Sequence, residues 1–419
     1  MDLLSPKVKP YPWGTRDAIA DLQGRSVPAP GPEAELWMGA HPSAPSGVAW
    51  TTLDEVIAAA PERMLGAECA ARFGGRLPFL LKVLSAAQAL SIQVHPSRAQ
   101  AQAGYAAENA RRLAPGDPAR NYVDDWPKPE LLYALTPFEV ATGLRTPADA
   151  AALLAALDVD ELKPLAAGLS DAADENVLAA ALASVLRWPP DDRASLVASV
   201  VAACARLAAA DGPYAAACAA VTRVAADRPG DLGVVALLLM RHEILQPGQA
   251  VFMPAGGLHA YLRGTGIELL ANSDNVVRSG LTSKHIDIPE LLKLLDPSVE
   301  VPVLAPRILP DGITWFETPA PEFRLHVIHL TAPAPPSAPA HASAPASASA
   351  LASGPALALP GAGPRIAFCL EGSCTLRADS GPTLDLTRGD SCFIPFADGP
   401  VTATGQGRLI LATPGPAPE

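Results

Sequence analysis

The chain has 419 residues, of which 49% are hydrophobic and only 18% are charged, against roughly 25% in an average soluble domain. Its 31 basic and 43 acidic residues give a net charge of -12 with no basic cluster, which excludes a general nucleic-acid-binding protein. Because an acidic surface repels anions at long range, a phosphate site would have to be a local basic pocket.

The sequence predicts neither a membrane span nor a secreted protein. The alanine-rich run 194–205 is interrupted by Arg206 well before the roughly 20 apolar residues that a span needs. The N-terminal segment lacks the apolar core of a signal peptide. Six cysteines without a C-x-x-C pair indicate reduced thiols, so we expect a cytoplasmic protein.

Two types of sequence pattern alternate along the chain. Residues 1–145 contain short β-like runs separated by Gly and Pro, at 77–84, 89–96, 130–135 and 138–145. Residues 146–242 carry Ala, Leu and Val at helical spacing, and Thr146 with Asp149 predicts a capping box at the start. Further helices are predicted over about 172–187, 191–210, 213–227 and 230–240.

From residue 243 the β-like pattern returns, interrupted by one predicted helix over 288–295. A Gly turn followed by an apolar run and a Pro occurs at 245–256 and again at 386–397, which is a weak internal repeat. We therefore predict a mainly β fold with two cupin-like (double-stranded β-helix, or jelly-roll) barrels and an all-helical domain.

The predicted domain boundaries follow these patterns. A discontinuous catalytic barrel would comprise residues 1–145 and 243–300, with the helical domain, 146–242, inserted in it. The C-terminal barrel would comprise 301–419. Its Ala/Pro/Ser-rich segment 331–364 is predicted to be a disordered insert.

Four residues are candidate metal ligands. Gln93 and His95 share one face of a β-like run that ends at Pro96, and Glu130 starts another such run. His259 follows a Gly-Gly pair, which lets the backbone approach a ligand closely. Two imidazoles, a carboxylate and an amide oxygen are suitable donors for zinc.

A second group of charged residues follows His259 along the chain: Glu268, Asp274, Arg278 and Lys284. The chain contains only seven lysines against 24 arginines, yet Lys82, Lys128 and Lys284 all lie in these β motifs. This usage suggests a need for a compact ammonium with an adjustable pKa.

Together these motifs resemble the type I mannose-6-phosphate isomerase (phosphomannose isomerase) family of the cupin superfamily. The resemblance covers about residues 11 to 296. It rests on the segments PWG (12–14), ELWMGAHPSAPS (35–46), SIQVHP (91–96), KPE (128–130) and the long stretch 247–284.

The resemblance implies a zinc-dependent aldose–ketose isomerase that interconverts mannose 6-phosphate and fructose 6-phosphate through a cis-enediol. It implies one Zn²⁺ per chain and a phosphosugar as the only partner, and we expect a monomer. The residues implied as metal ligands are Gln93, His95, Glu130 and His259. Those implied for catalysis are Arg278, Lys128, Glu268 and Asp274, with Ser91 and Lys284 as substrate contacts.

The general base stays open at this point. A guanidinium remains protonated in proteins, so Arg278 is suited to holding negative charge rather than to accepting a proton. Glu268, Asp274, Lys128 or a hydroxide on the zinc are the alternatives. A rival function is a catalytically silent zinc cupin that binds a phosphosugar as a sensor or regulator. A metal-dependent cupin oxygenase is disfavoured by Gln93 in the ligand set.

Overall fold

A computed structural model describes residues 1–114, 116–170, 176–331 and 355–416. They form a mixed α/β fold with a ten-stranded and a nine-stranded antiparallel sheet, a small two-stranded sheet and a helical region. The strands are β1 (Asp2–Leu3), β2 (Lys7–Lys9), β3 (Glu35–Met38), β4 (Gly47–Val48), β5 (Thr51–Thr52), β6 (Phe79–Ala86), β7 (Ile92–Val94), β8 (Glu130–Ala134), β9 (Phe138–Leu144), β10 (Met240–Leu245), β11 (Ala250–Met253), β12 (His259–Ala271), β13 (Val277–Gly280), β14 (Pro306–Ile308), β15 (Thr314–Phe316), β16 (Arg324–Leu330), β17 (Leu357–Ala358), β18 (Arg365–Ala378), β19 (Thr383–Thr387), β20 (Ser391–Ile394) and β21 (Val401–Thr413).

The helices lie mostly between β9 and β10, with shorter ones near the N-terminus. They are α1 (Ala18–Leu22), α2 (Leu53–Ala59), α3 (Pro61–Leu65), α4 (Ala67–Arg72), α5 (Arg98–Ala110), α6 (Pro147–Leu157), α7 (Lys163–Ser170), α8 (Asn176–Leu186), α9 (Arg193–Ala209), α10 (Ala215–Asp227), α11 (Gly233–Ala236) and α12 (Ile288–Leu294).

The ten-stranded sheet is organised around β12. The first part of this strand, from His259, pairs with β7 and β9, and the second part, from Gly264 to Ala271, pairs with β6 and β8. The four β-like runs predicted before residue 145 are confirmed as β6, β7, β8 and β9. Since β7 and β8 both pair with β12, side chains near the ends of these three strands are brought together.

The nine-stranded sheet is built on two long strands, β18 and β21, which pair along most of their length. The predicted repeat relates the two sheets: Gly248 and Gly389 both have a φ of 92°, and each precedes a short strand that ends before a Pro, β11 in the ten-stranded sheet and β20 in the nine-stranded sheet. The N-terminal β1 joins this sheet, because Asp2 pairs with Phe393 of β20.

The helical region confirms most of the sequence-based expectations. The Thr146 hydroxyl accepts a hydrogen bond from the backbone N–H of Asp149, so α6 is capped as predicted. Helices α8, α9 and α10 bury their Ala, Leu and Val faces in one continuous core. The helix predicted over 230–240 is shorter, because α11 ends at Ala236, a 3₁₀ turn follows and β10 begins at Met240.

Several short helices were not predicted by the sequence patterns. Helices α2, α3 and α4 lie between β5 and β6. Their apolar faces, which include Leu53, Ile57 and Leu65, are buried against the sheets. Helices this short depend on tertiary packing rather than on intrinsic propensity, so they carry a weak local signal.

The prediction of a disordered insert over 331–364 is wrong for its last part. Residues 332–354 lie outside the described residues, but Leu357–Ala358 forms β17, which pairs with Ala403 and Thr402 of β21. Leu359 is buried beside it. The Leu-Ala-Leu alternation supplies the apolar contacts that the preceding Ala/Pro/Ser repeats lack.

No helix within the described ranges is long and apolar enough to cross a lipid bilayer. A cytoplasmic location stays a prediction.

Candidate active site

Three of the predicted metal ligands meet at one end of the ten-stranded sheet. His95 follows β7, Glu130 begins β8 and His259 begins β12. His95 Nε2 lies 3.1 Å from Glu130 Oε1, and His259 Nε2 lies 3.3 Å from Glu130 Oε2. All three side chains are buried. Within the described residues, they form the cluster of His, Cys and acidic side chains that could hold a metal ion.

The hydrogen bonds of the two imidazoles fix their tautomers. His95 Nδ1 lies 2.7 Å from the carbonyl oxygen of Asn275, and His259 Nδ1 lies 3.1 Å from that of Gly257. A carbonyl only accepts, so each Nδ1 carries the hydrogen and each Nε2 presents a lone pair toward Glu130. Both Nε2 atoms are buried and have no hydrogen-bond partner in the described chain. Each Nε2 lone pair is repelled by the carboxylate oxygen that it faces, and a cation between the two atoms would remove this repulsion.

The charge state of the cluster also suits a metal. Burial, reinforced by the Lys128 ammonium, lowers the pKa of His95 to about 4, so its imidazole is neutral at pH 7. Burial alone would raise the pKa of Glu130, but Lys128 and His95 hold that pKa well below its usual value. Neutral imidazoles and an ionised carboxylate are the forms that bind metal ions.

Gln93 lies beside this cluster on β7. In the sheet register it is paired with His259 on one side and with Arg278 of β13 on the other. Its side chain is largely buried. Gln93 therefore lies directly opposite His259 in the sheet, and Ser91, half-buried, lies just before the same strand.

Two further groups contact Glu130. The Lys128 Nζ lies 2.9 Å from Glu130 Oε1, and the hydroxyl of Tyr261 donates to Glu130 Oε2 at 3.2 Å. Burial together with the Glu130 charge raises the pKa of Tyr261 well above its usual value, so this hydroxyl stays protonated. Glu130 is thus oriented from both sides.

A second buried charge cluster was missed in part by the sequence analysis. The Lys82 Nζ donates to Glu268 Oε2 at 2.9 Å and lies 3.9 Å from Glu35 Oε1. The other oxygen of this carboxylate, Glu35 Oε2, accepts a hydrogen bond from Trp37 Nε1 at 2.6 Å. Glu268 was predicted and Lys82 was flagged by lysine usage, but Glu35 was not singled out. The alternation Glu35-Leu36-Trp37 on β3 is the signal that could have identified it.

The remaining predicted residues lie closer to solvent. Arg278 is half-buried and Lys284 is exposed; the charge of Arg278 lowers the pKa of Lys284, which shows that the two cations are neighbours. Asp274 Oδ1 lies 3.5 Å from Nε2 of His41. Burial lowers the pKa of His41 to about 4 despite Asp274. The sequence analysis gave His41 no role in the site.

Asn275 connects the loop before Glu130 to the loop after β12. Its Nδ2 donates to the backbone oxygens of Asp124 and Trp126, both at 2.8 Å, and its Oδ1 accepts from the backbone N–H of Val123 at 2.7 Å. Its own carbonyl holds His95. Asn275 therefore positions His95 through its backbone carbonyl, and the segment that leads to Lys128 and Glu130 through its side chain.

Comparison with known proteins identifies the family of this chain. It is 34% identical over 416 residues to the mannose-6-phosphate isomerase of Escherichia coli (strain K12), and the alignment covers 98% of each chain. The chain belongs to the type I phosphomannose isomerase family. The model of the phosphomannose isomerase type I catalytic domain matches residues 1–147, and that of the mannose-6-phosphate isomerase cupin domain matches residues 363–414. The resemblance inferred from the sequence is confirmed.

Phosphomannose isomerases of other organisms and solved structures agree with this membership. The chain is 30% identical over 441 residues to mannose-6-phosphate isomerase 2 of Arabidopsis thaliana, covering 96% of this chain and 90% of the relative. A crystal structure of a mutant phosphomannose isomerase from Salmonella typhimurium matches with a TM-score of 0.86 and 33% identity over 99% of this chain and all of the other. A crystal structure of mannose 6-phosphate isomerase bound with zinc and yttrium matches with a TM-score of 0.85, 33% identity and the same coverage.

Proposed function

We propose that this chain is a zinc-dependent mannose-6-phosphate isomerase that interconverts mannose 6-phosphate and fructose 6-phosphate through a cis-enediol. The observation that carries the proposal is the buried His95–Glu130–His259 cluster, whose two Nε2 atoms have no hydrogen-bond partner among the described residues. It occurs in a chain that is similar to mannose-6-phosphate isomerases over nearly its whole length.

The donor set fits one zinc ion. His95, Glu130 and His259 would hold it, with Gln93 as the fourth ligand, because their donor atoms are of the types that zinc binds. When bound, the ion would polarise the sugar oxygens and stabilise negative charge on the enediolate. Lys128 and Tyr261 keep Glu130 ionised and oriented for this role.

Among the candidate bases, we favour Glu268. Its Oε2 is bonded to Lys82, while its Oε1 makes no hydrogen bond to the described residues. Burial raises the pKa of Glu268 against the opposing effect of Lys82, which makes it a stronger base than an exposed glutamate. In this mechanism Oε1 takes the proton from C2 of the open-chain aldose and returns it to C1, while the hydroxyl proton of O2 passes to O1. The Lys82 ammonium holds the carboxylate in place.

The phosphate would be held at the outer side of the site. Arg278 and Lys284 form a local pair of cations on a chain with a net charge of -12, which is the local basic pocket that a phosphate requires. Ser91 offers a hydroxyl at the end of the neighbouring segment. Asp274, held near His41, would contact sugar hydroxyls rather than the phosphate.

Replacing Arg278 with Lys is expected to lower kcat/KM by about 100-fold while zinc content stays unchanged. Lysine keeps the charge but loses the planar fork that binds an oxyanion at two points. Steady-state kinetics and metal analysis of the purified variant check this. Arg263→Lys, at an exposed position of β12, is the matched control. An unchanged kcat/KM in Arg278→Lys would demote Arg278 to a structural residue.

Replacing Asn275 with Ala is expected to weaken zinc binding by about 10–100-fold, because the side chain orients the ligand segments without touching the metal. Competition with a chromophoric chelator measures the affinity. Asn272→Ala removes a neighbouring amide whose side chain, among the described residues, bonds only the Leu77 carbonyl, so it should leave the affinity unchanged. Equal zinc affinities in the two variants would contradict a positioning role for Asn275.

The function is tested by assaying conversion of mannose 6-phosphate to fructose 6-phosphate before and after chelation. We expect turnover in the purified protein, loss on chelation and recovery on addition of zinc. A protein that retains zinc and binds mannose 6-phosphate without turning it over would instead be a phosphosugar sensor. The presence of Glu268, Lys82 and Arg278 around the cluster is the reason to favour the enzyme.

We also propose that each large sheet closes as a cupin-type barrel, with the domain boundaries 1–145 with 243–300, 146–242 and 301–419, except that β1 joins the sheet of the C-terminal barrel and β10, from Met240, belongs to the first barrel. The support is that β12 changes partners along its length and that β18 and β21 do the same. A monomeric state also stays a prediction.

A further inference from the structure

A separate pocket of about 250 Å³ lies at one end of the nine-stranded sheet, in a different part of the fold from the cluster around Glu130. On β16, Ile328 and Leu330 belong to the apolar core that this sheet encloses. Since side chains alternate along a strand, His326 and Arg324 lie on that same face and continue it into the pocket. The apolar interior thus ends in two basic side chains, both of which line the pocket.

His326 is buried, yet one of its ring nitrogens is unused. Its Nε2 lies 3.4 Å from Oγ1 of Thr413, and this hydroxyl donates to the Pro414 carbonyl at 3.1 Å. The hydroxyl must therefore accept from Nε2–H, which leaves Nδ1 as a free acceptor. Nδ1 is buried and has no partner within the described residues. A buried acceptor of this kind requires an explanation, and a ligand hydroxyl supplies one.

Arg324 supplies positive charge to the same pocket. The guanidinium carbon of Arg324 lies 4.3 Å from the ring centroid of Trp315, and no carboxylate of the described chain is within ion-pair distance of it. Arg365, at the start of β18, donates to the carbonyl of Gly361, which lines the pocket, and its buried Nε has no partner among the described residues. The nearby carboxylate of Asp398 is already paired with the N-terminal amino group.

We propose that this pocket binds a small hydroxylated organic anion, of the size and type of a short polyol phosphate. Arg324 would bind the phosphate, His326 Nδ1 would accept a hydrogen bond from a hydroxyl of the ligand, and the Trp315 and Pro414 side chains would contact its carbon chain. The pocket is slightly smaller than the roughly 300 Å³ lower limit for drug-sized ligands, which favours a three- or four-carbon compound. The site is independent of the proposed isomerase function.

The test uses the full-length protein labelled with ¹⁵N-histidine and glycerol 3-phosphate as the probe. We expect a saturable shift of the Nδ1 resonance of His326, assigned with His326→Gln, at millimolar probe. Glycerol tests the contribution of the phosphate, and glycerate tests whether a carboxylate replaces it. Glycerol alone should cause no shift.

Two variants decide the outcome. Arg324→Gln should weaken binding at least about 10-fold, as expected for loss of a charged hydrogen-bond donor. His329→Gln, on the exposed face of the same strand, should bind like the wild type. An unmoved His326 resonance, or equal affinity in Arg324→Gln and the wild type, would overturn the proposal. Arg324 is only half-buried, so this variant remains informative even if a substitution at His326 prevents folding.

Discussion

Replacing His259 with Ala is expected to abolish both zinc binding and turnover. Loss of a residue that merely orients a zinc ligand costs about 10–100-fold, so loss of a ligand should cost more than about 1000-fold in kcat/KM. The variant also leaves His95 Nε2 facing the Glu130 carboxylate with a weakened or absent cation between them. Metal analysis and the mannose 6-phosphate assay measure the two effects.

Thermal stability provides a readout of the same site that does not depend on activity. Zinc that binds only the folded chain raises the melting temperature of the wild-type apoprotein. We expect no such rise in His259→Ala. His329→Ala, which removes an exposed histidine of the other sheet, should respond to zinc like the wild type. A zinc-free His259→Ala protein with full activity would show that the metal assignment is wrong.

Replacing Glu268 with Gln is expected to lower kcat by about 100- to 10,000-fold with zinc retained, because an amide cannot accept the substrate proton. The direct measurement is release of deuterium from C2-deuterated mannose 6-phosphate into water. We expect this exchange to disappear together with turnover. Glu268 lies in the second charge cluster and makes no hydrogen bond to the zinc-binding residues, so the metal content should stay normal.

Glu35→Gln is the matched control for this experiment. Glu35 is buried beside the same Lys82 ammonium, at 3.9 Å, and its loss also disturbs the charge balance of the cluster. If the role of Glu268 were only to neutralise Lys82, both variants would lose activity equally. The deuterium exchange that each variant retains would then be in proportion to its remaining activity. A base at Glu268 predicts a much larger loss in Glu268→Gln. Exchange that persists in Glu268→Gln but disappears in Lys128→Met would identify Lys128 as the base.

The strands and most long helices were accessible to sequence reasoning because their signals are local. The run 77–84 reads as a buried strand and is β6, and the capping residue Thr146 marks the start of α6. The short helices α2 to α4 were not accessible to sequence reasoning, because each is stabilised by the surface on which it packs. The order within the low-complexity segment 331–364 also depends on a partner, since β17 exists through its pairing with β21.

The candidate site shows the same division. Gln93, His95, Glu130 and His259 were identified from donor chemistry and from the resemblance to a family. The partners that orient them were not identified. Asn275, for example, acts on His95 through its backbone carbonyl, which any residue possesses. The proximity of His41 to Asp274 is likewise a product of folding.

By itself, the sequence determined the class of chemistry and the family, because ligand types and motif order are written into consecutive residues. Only the tertiary structure decided which charges meet. Lys82 and Glu268 are 186 positions apart and form an ion pair because β6 and β12 are neighbouring strands in register. Burial then sets the protonation states, lowering the pKa of His95 and raising that of Glu268. Desolvation depends on everything packed around a group, and no local pattern encodes it.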